Sequence, residues 1–148
     1  MDFAKILLNA HRGFAYLELT LVGVFVLMLL LAMFGYSGKI NKGLRKVTLF
    51  TMIFFHLQFL VGIVLLFGTS GFLNSIEQLG MGGLMKNSAL RFSYIEHPFS
   101  MLAAAVLMTI VNKKVKSNEK LNFGIVIPGL IAVALFLFAF PFSKLFGA

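Results

Sequence analysis

Read as a string of apolar and polar positions, the chain divides into four apolar runs, 14–34, 47–67, 89–111 and 123–142, each closed by polar or glycine-bearing stretches. Each run is close to the roughly 20 residues that a helix needs to cross a hydrocarbon layer about 30 Å thick. The pattern predicts an all-α fold: an integral membrane four-helix bundle, one domain over 1–148, with both termini on the outer side. The stretch holding Gly80, Gly82 and Gly83 reads as a flexible outer loop between the second and third spans. The third run is unusual, because "RFSYIEHPFSMLAAAVLMTIVNKK" (91–114) puts Arg91, Glu96 and His97 ahead of Pro98. Phe99 to Val111 alone covers only about 20 Å at about 1.5 Å per residue, so the polar start must also lie within the outer half of the membrane. Pro98 has no amide hydrogen and either kinks a helix or begins one.

Composition agrees with this class. The chain is 59% hydrophobic and 12% charged, whereas soluble domains carry about 25% charged residues. It has no cysteine, which excludes disulfides, thiolate nucleophiles, Cys-ligated zinc or iron–sulfur clusters and covalent c-type haem. No phosphate-binding loop, zinc motif or Ser-His-Asp set is present in the sequence. The first run carries Glu18 and is followed by no small-residue cleavage site, so it reads as a span and not as a cleaved signal.

The net charge of +8 changes the picture through its distribution. Lys39, Lys42, Arg45 and Lys46 join the first two runs, and Lys113, Lys114, Lys116 and Lys120 join the last two. The other face holds only Lys5, Arg12, Lys86, Arg91 and Lys144. This is the positive-inside bias, and it predicts cytoplasmic basic loops with outer termini. Membrane lipid is partner enough for those loops, and no nucleic-acid partner is expected.

Ionisable groups inside apolar spans cost at least about 2.5 to 3.5 kcal/mol each at the bilayer centre, so they mark function. The candidates are Glu18, His56, Glu96 and His97, with His11, Arg12 and Arg91 near the outer ends. Helix rise puts His56 about 15 Å from the cytoplasmic edge, His97 about 24 Å, Glu18 about 27 Å, Arg91 about 33 Å and His11 about 37 Å. His11, Ala15 and Glu18 share one helical face. Two histidines on neighbouring helices suit a b-type haem, whose iron takes axial imidazoles between facing helices. The depth difference is about 9 Å for His56 and His97 and about 13 Å for His11 and His97, which selects His56 and His97 as the metal ligands. Arg12 and Arg91 would then meet haem propionates or quinone oxygens. Each feature has a plainer alternative. His56 can serve as a helix-to-helix hydrogen-bond donor, and Arg12, Glu18, Arg91 and Glu96 can neutralise one another in a structural cluster.

With "HRGFAYLEL" opening the first run, "FFHLQFLVGIVLLF" in the second and Arg-(x)4-Glu-His-Pro leading into the third, the chain resembles small four-helix bacterial membrane proteins labelled cytochrome b-like. The resemblance implies a four-helix bundle with histidines at positions 11, 56 and 97, and a haem; the expected location is the bacterial inner membrane, with the termini periplasmic by the positive-inside bias. The expected function is a haem-b-binding redox or electron-transfer subunit, quinone-linked, acting as a carrier or subunit of a larger membrane complex more than as a stand-alone enzyme. The alternative is a cofactor-free accessory or assembly subunit. A third option is a small transporter with Glu18, Glu96 and His97 as a proton relay.

Overall fold

The computed structural model describes residues 2–69 and 71–145; the remaining positions of the 1–148 domain, including the extreme termini, lie outside the described residues. Helix α1 runs Phe3–Phe34, α2 Lys42–Gly68, α3 Phe72–Lys86 and α4 Ser88–Arg91. A five-residue π-turn, Phe92–Glu96, leads into α5, His97–Ser117, followed by α6, Phe123–Ala139, and α7, Phe142–Leu145. The fold is all-helical, with no strand among the described residues. Three helical stretches, Phe3–Phe34, Lys42–Gly68 and Ser88–Ser117, are long and apolar enough to cross a membrane. Helix α6 is shorter, 17 residues, or about 26 Å at about 1.5 Å per residue.

Caps explain where several of these helices begin. Asn41 accepts from the Leu44 amide at 2.8 Å, and Asn87 accepts from the Ala89 and Leu90 amides at 3.1 and 3.2 Å, satisfying donors that a helix start leaves unpaired. The connection between the second and third apolar runs differs from the expected loop. Residues 72–86 form α3, with Phe72, Ile76 and Leu79 on one face and Asn74, Glu77 and Gln78 on the other, an apolar/polar division at helical period that the glycines conceal. Gly80, at φ 66°, breaks that helix with a backbone that L side chains rarely adopt.

Helix α1 packs on α2, α2 on α5 and α5 on α6. The core stripe of α1 is Ala15, Val22, Phe25, Leu29 and Ala32, spaced by sevens, threes and fours as in knobs-into-holes packing. It meets Phe55 of α2, Met108 and Val111 of α5, and Ile125 and Phe136 of α6 in one apolar core. Phe55 and Phe136 stack at 5.4 Å between ring centres. Gly129 lets α6 approach α1, since a Cβ there would stand 3.3 Å from Phe25 Cζ. The outward faces stay apolar, with Leu27, Leu57, Leu60, Val106 and Ile127 exposed, a surface suited to hydrocarbon and not to water.

The basic connections hold each other. Ile40 N–H donates to the Glu119 carbonyl at 2.8 Å, and Leu121 N–H to Gly38 at 2.7 Å. Arg45 donates to three carbonyls just past the end of α5 or within its last turn: Val115 at 2.6 Å, Lys116 at 2.9 Å and Asn118 at 3.0 Å. These are among the carbonyls that a helix terminus leaves without partners, and charge-assisted bonds to them are stronger than neutral ones. Arg45→Ala is expected to lower stability by about 2 kcal/mol, read as a drop in thermal midpoint in detergent. Arg45→Lys is expected to recover less than half of that loss, because an ammonium lacks the planar fork that reaches three acceptors.

Candidate functional site

At the end of the fold that carries the N-terminus of α5 and the C-terminus of α6, the helices enclose a cavity of about 260 Å³. Its polar lining comes from His11, Arg12 and Glu18 of α1, Gln58 of α2, Ser93 of the π-turn, His97 of α5 and Lys144 of α7. Apolar walls come from Ala15, Phe59, Ile63, Met101, Phe136 and Phe140.

The π-turn delivers His97. Wide i-to-i+5 bonding runs through Phe92–Glu96 and ends with the His97 N–H on the Phe92 carbonyl, and Pro98 follows in the first turn of α5, where its missing amide is tolerated. Such insertions shift the face that the following residues present and recur at functional sites. His97 Nδ1 lies 2.7 Å from the Ala139 carbonyl at the end of α6. A carbonyl only accepts, so Nδ1 carries the hydrogen and, in the neutral ring, Nε2 keeps its lone pair. That arrangement fixes both ring orientation and tautomer, as an outer hydrogen bond does for a metal-ligating histidine.

His11 faces His97 across the cavity, with ring centres 6.2 Å apart and planes at 80°. Its Nδ1 is buried and has no hydrogen-bond partner. Gly62 of α2 lies beside this ring, where a Cβ would make an ordinary 3.5 Å contact with His11 Cε1. Gln58 Nε2 donates to the His11 backbone carbonyl at 2.9 Å, while the Gln58 side chain also lies beside Glu18. Glu18 is 2% exposed and Gln58 4%; Oε1 of each is buried without a partner. Buried polar atoms are nearly always hydrogen-bonded, so two orphaned oxygens and an orphaned ring nitrogen on one cavity call for an explanation.

The expected pairing of His56 with His97 is not what the geometry provides. His56 is exposed on the outward side of α2, its Nδ1 donating to the Met52 carbonyl at 2.8 Å and its Nε2 3.3 Å from Thr109 Oγ1 of α5. Depth along a helix leaves azimuth open: two residues along, about 200° around the helix, it is Gln58 that turns inward. His11 takes the place expected for His56. Arg91 and Glu96 pair with each other. Arg91 Nε pairs with Glu96 Oε1 at 2.7 Å and Arg91 Nη1 donates to the Met85 carbonyl at 2.9 Å, and neither residue lines the cavity. Arg12 does line it, at the exposed rim, together with Lys144, whose Nζ reaches Ser93 Oγ at 3.3 Å. Glu18 and Glu96, expected at one depth, serve separate places.

Sequence reasoning missed Gln58, Lys144 and the Ala139 carbonyl. Gln58 carried a usable signal, a second polar residue inside "FFHLQFLVG"; only its lack of charge hid it. Among the described residues no group of three or more His, Cys, Asp or Glu could hold a metal ion by side chains alone. In comparisons with protein-family models, curated proteins and solved structures, no match to the chain is found.

The arrangement predicts different costs for the histidines. His56→Ala or Thr109→Val removes one contact on the outer face and is expected to change stability by less than about 1 kcal/mol. His97→Phe leaves the Ala139 carbonyl with one bond fewer and fills the gap to His11. It is expected to lower the thermal midpoint in detergent several-fold more than His56→Ala does.

Proposed function

We propose that the protein is a four-span subunit of a bacterial inner membrane, with both termini on the periplasmic side, that binds one b-type haem between His11 and His97 and works in electron transfer. The observation that carries this reading is the histidine pair. Two axial imidazoles on one metal, each with a metal–nitrogen bond of about 2 Å and a ring radius of about 1.2 Å, have centres about 6.4 Å apart. The 6.2 Å found between His11 and His97 fits that requirement. The donor set fits as well. His97 offers Nε2 because Ala139 holds Nδ1, and His11 has a buried nitrogen with nothing to bond.

A haem bound here would supply one-electron chemistry at its iron, tuned by its ligands and by burial. The chain's own residues do the rest. Ala139 orients His97. Gln58 holds the His11 backbone through its carbonyl. Arg12 and Lys144 stand at the cavity rim, where a guanidinium and an ammonium suit carboxylates such as propionates. Phe92, 6.3 Å from His97, and Phe136 keep the surroundings apolar. The basic loops at the opposite end favour a cytoplasmic position and contact with anionic lipid headgroups.

The test is a dithionite-reduced minus oxidised absorption spectrum of the detergent-purified protein. The wild type is expected to give a b-type Soret and α-band signal that His11→Ala and His97→Ala each abolish and His56→Ala preserves. A wild-type protein with no haem by spectrum and by mass spectrometry would overturn the reading in favour of a cofactor-free accessory subunit. A signal lost in His56→Ala and retained in His11→Ala would overturn the ligand assignment.

A further inference from the structure

The cavity carries polar groups besides His11 and His97, among them Glu18 and Gln58. Glu18 lies seven residues, about 10 Å along α1, from His11. Its Oε1 and that of Gln58 are both without donors, in residues that are 2% and 4% exposed. The orientation of the Gln58 amide is fixed, because its nitrogen donates to the His11 carbonyl and a carbonyl cannot donate in return. The amide oxygen therefore faces away from that bond. Two buried acceptor oxygens on one cavity, at Glu18 and Gln58, suit a ligand that brings hydrogen-bond donors.

The walls narrow the choice. Phe59 and Phe136 give aromatic surface, Ala15, Ile63 and Met101 give aliphatic surface, and the helices around them present apolar side chains to their surroundings. A ligand reaching this place is lipid-soluble, and one that stacks on aromatic rings is flat. We propose that Glu18 and Gln58 form a binding site for the head group of a lipid-soluble hydroquinone, its two ring hydroxyls donating to Glu18 Oε1 and Gln58 Oε1. The choice of a hydroquinone over other hydroxyl-bearing lipids rests on the redox reading of the same cavity. The site itself rests on the orphaned oxygens.

The experiment is equilibrium dialysis of decylubiquinol, kept reduced under anaerobic conditions, against the full-length protein in lipid nanodiscs. Empty nanodiscs serve as the partition control and haem content is read separately by absorption. Saturable binding near one per chain is expected. The dimethyl ether of the same compound, which has the ring and tail but no donors, is expected to bind at least about 10-fold more weakly. Glu18→Leu and Gln58→Leu are each expected to weaken decylubiquinol binding by a similar factor, while His56→Ala leaves it unchanged. The ether comparison uses wild-type protein, so it decides the matter even where a variant fails to fold. Equal, non-saturable uptake of hydroquinone and ether would overturn the proposal, and would assign the two oxygens to bound water. Saturable, donor-dependent binding in a protein without haem would sustain this site while removing the haem reading; haem without such binding would do the reverse.

Discussion

A helical bundle with apolar outer faces has to satisfy its polar atoms from within, and that constraint organises the whole chain. Hydrocarbon offers no replacement for a lost hydrogen bond. Thr48 and Thr51 accordingly return their hydroxyls to the Leu44 and Val47 carbonyls one turn back, at 2.6 and 2.7 Å. Thr109 does the same with Ala105. Arg45 spends a full guanidinium on the end of α5, and His56 turns its Nδ1 onto its own helix. Against that background the unsatisfied atoms stand out. Of the four buried side-chain atoms without partners among the described residues, three, on His11, Glu18 and Gln58, come from residues that line the cavity beneath the π-turn, and the fourth is Asn112 Oδ1. Leaving three such atoms open on one cavity concentrates an energetic cost of about 1 to 3 kcal/mol per atom at one place.

The hydrogen bond from His97 to Ala139 links this cost to the architecture. It joins residues 42 apart in sequence, one at the first position of α5 and one at the last of α6. It therefore closes the end of the α5–α6 pair and aims the imidazole in the same stroke. The π-turn makes the bond reachable: adding a residue to the turn rotates His97 relative to the regular path. Pro98 denies α5 an amide donor at the same point. The Arg91–Glu96 pair lies just outside, with Arg91 also bonded to the Met85 carbonyl. This local closure neutralises the two charges that flank the π-turn without drawing either into the cavity.

How much of this was legible in the sequence follows from what each pattern encodes. Apolar runs encode helices and their apolar surroundings, and those were readable. Run length places residues in depth, yet depth says nothing of azimuth, so His56 looked equivalent to an inward residue although Gln58, two positions on, is the one that turns in. Glycines at 80, 82 and 83 suggested a loop, while the amphipathic spacing of Phe72, Ile76 and Leu79 made a helix up to the Gly80 kink. The spacing His11, Ala15, Glu18 was readable because it lies on a single helix, where 3.6 residues per turn fix relative direction. The meeting of His11 with His97 depends on tertiary packing and on a π-turn, and no single-helix pattern encodes either.

Glu18 is the position where stability and the cavity conflict most directly. Leucine there would remove an unpaired buried oxygen and extend the apolar stripe from Ala15 to Val22, and replacing buried polar groups with apolar ones of similar volume is often neutral or stabilising. The chain instead carries a carboxyl group that is 2% exposed, next to an amide committed to the His11 backbone. Folding alone gives no reason for that choice, since the knobs-into-holes stripe of α1 is continuous through Val22, Phe25, Leu29 and Ala32 without it. A carboxyl retained against packing preference, on the same face as a histidine whose Nδ1 has no partner, keeps polar acceptors on the cavity wall that packing alone does not require.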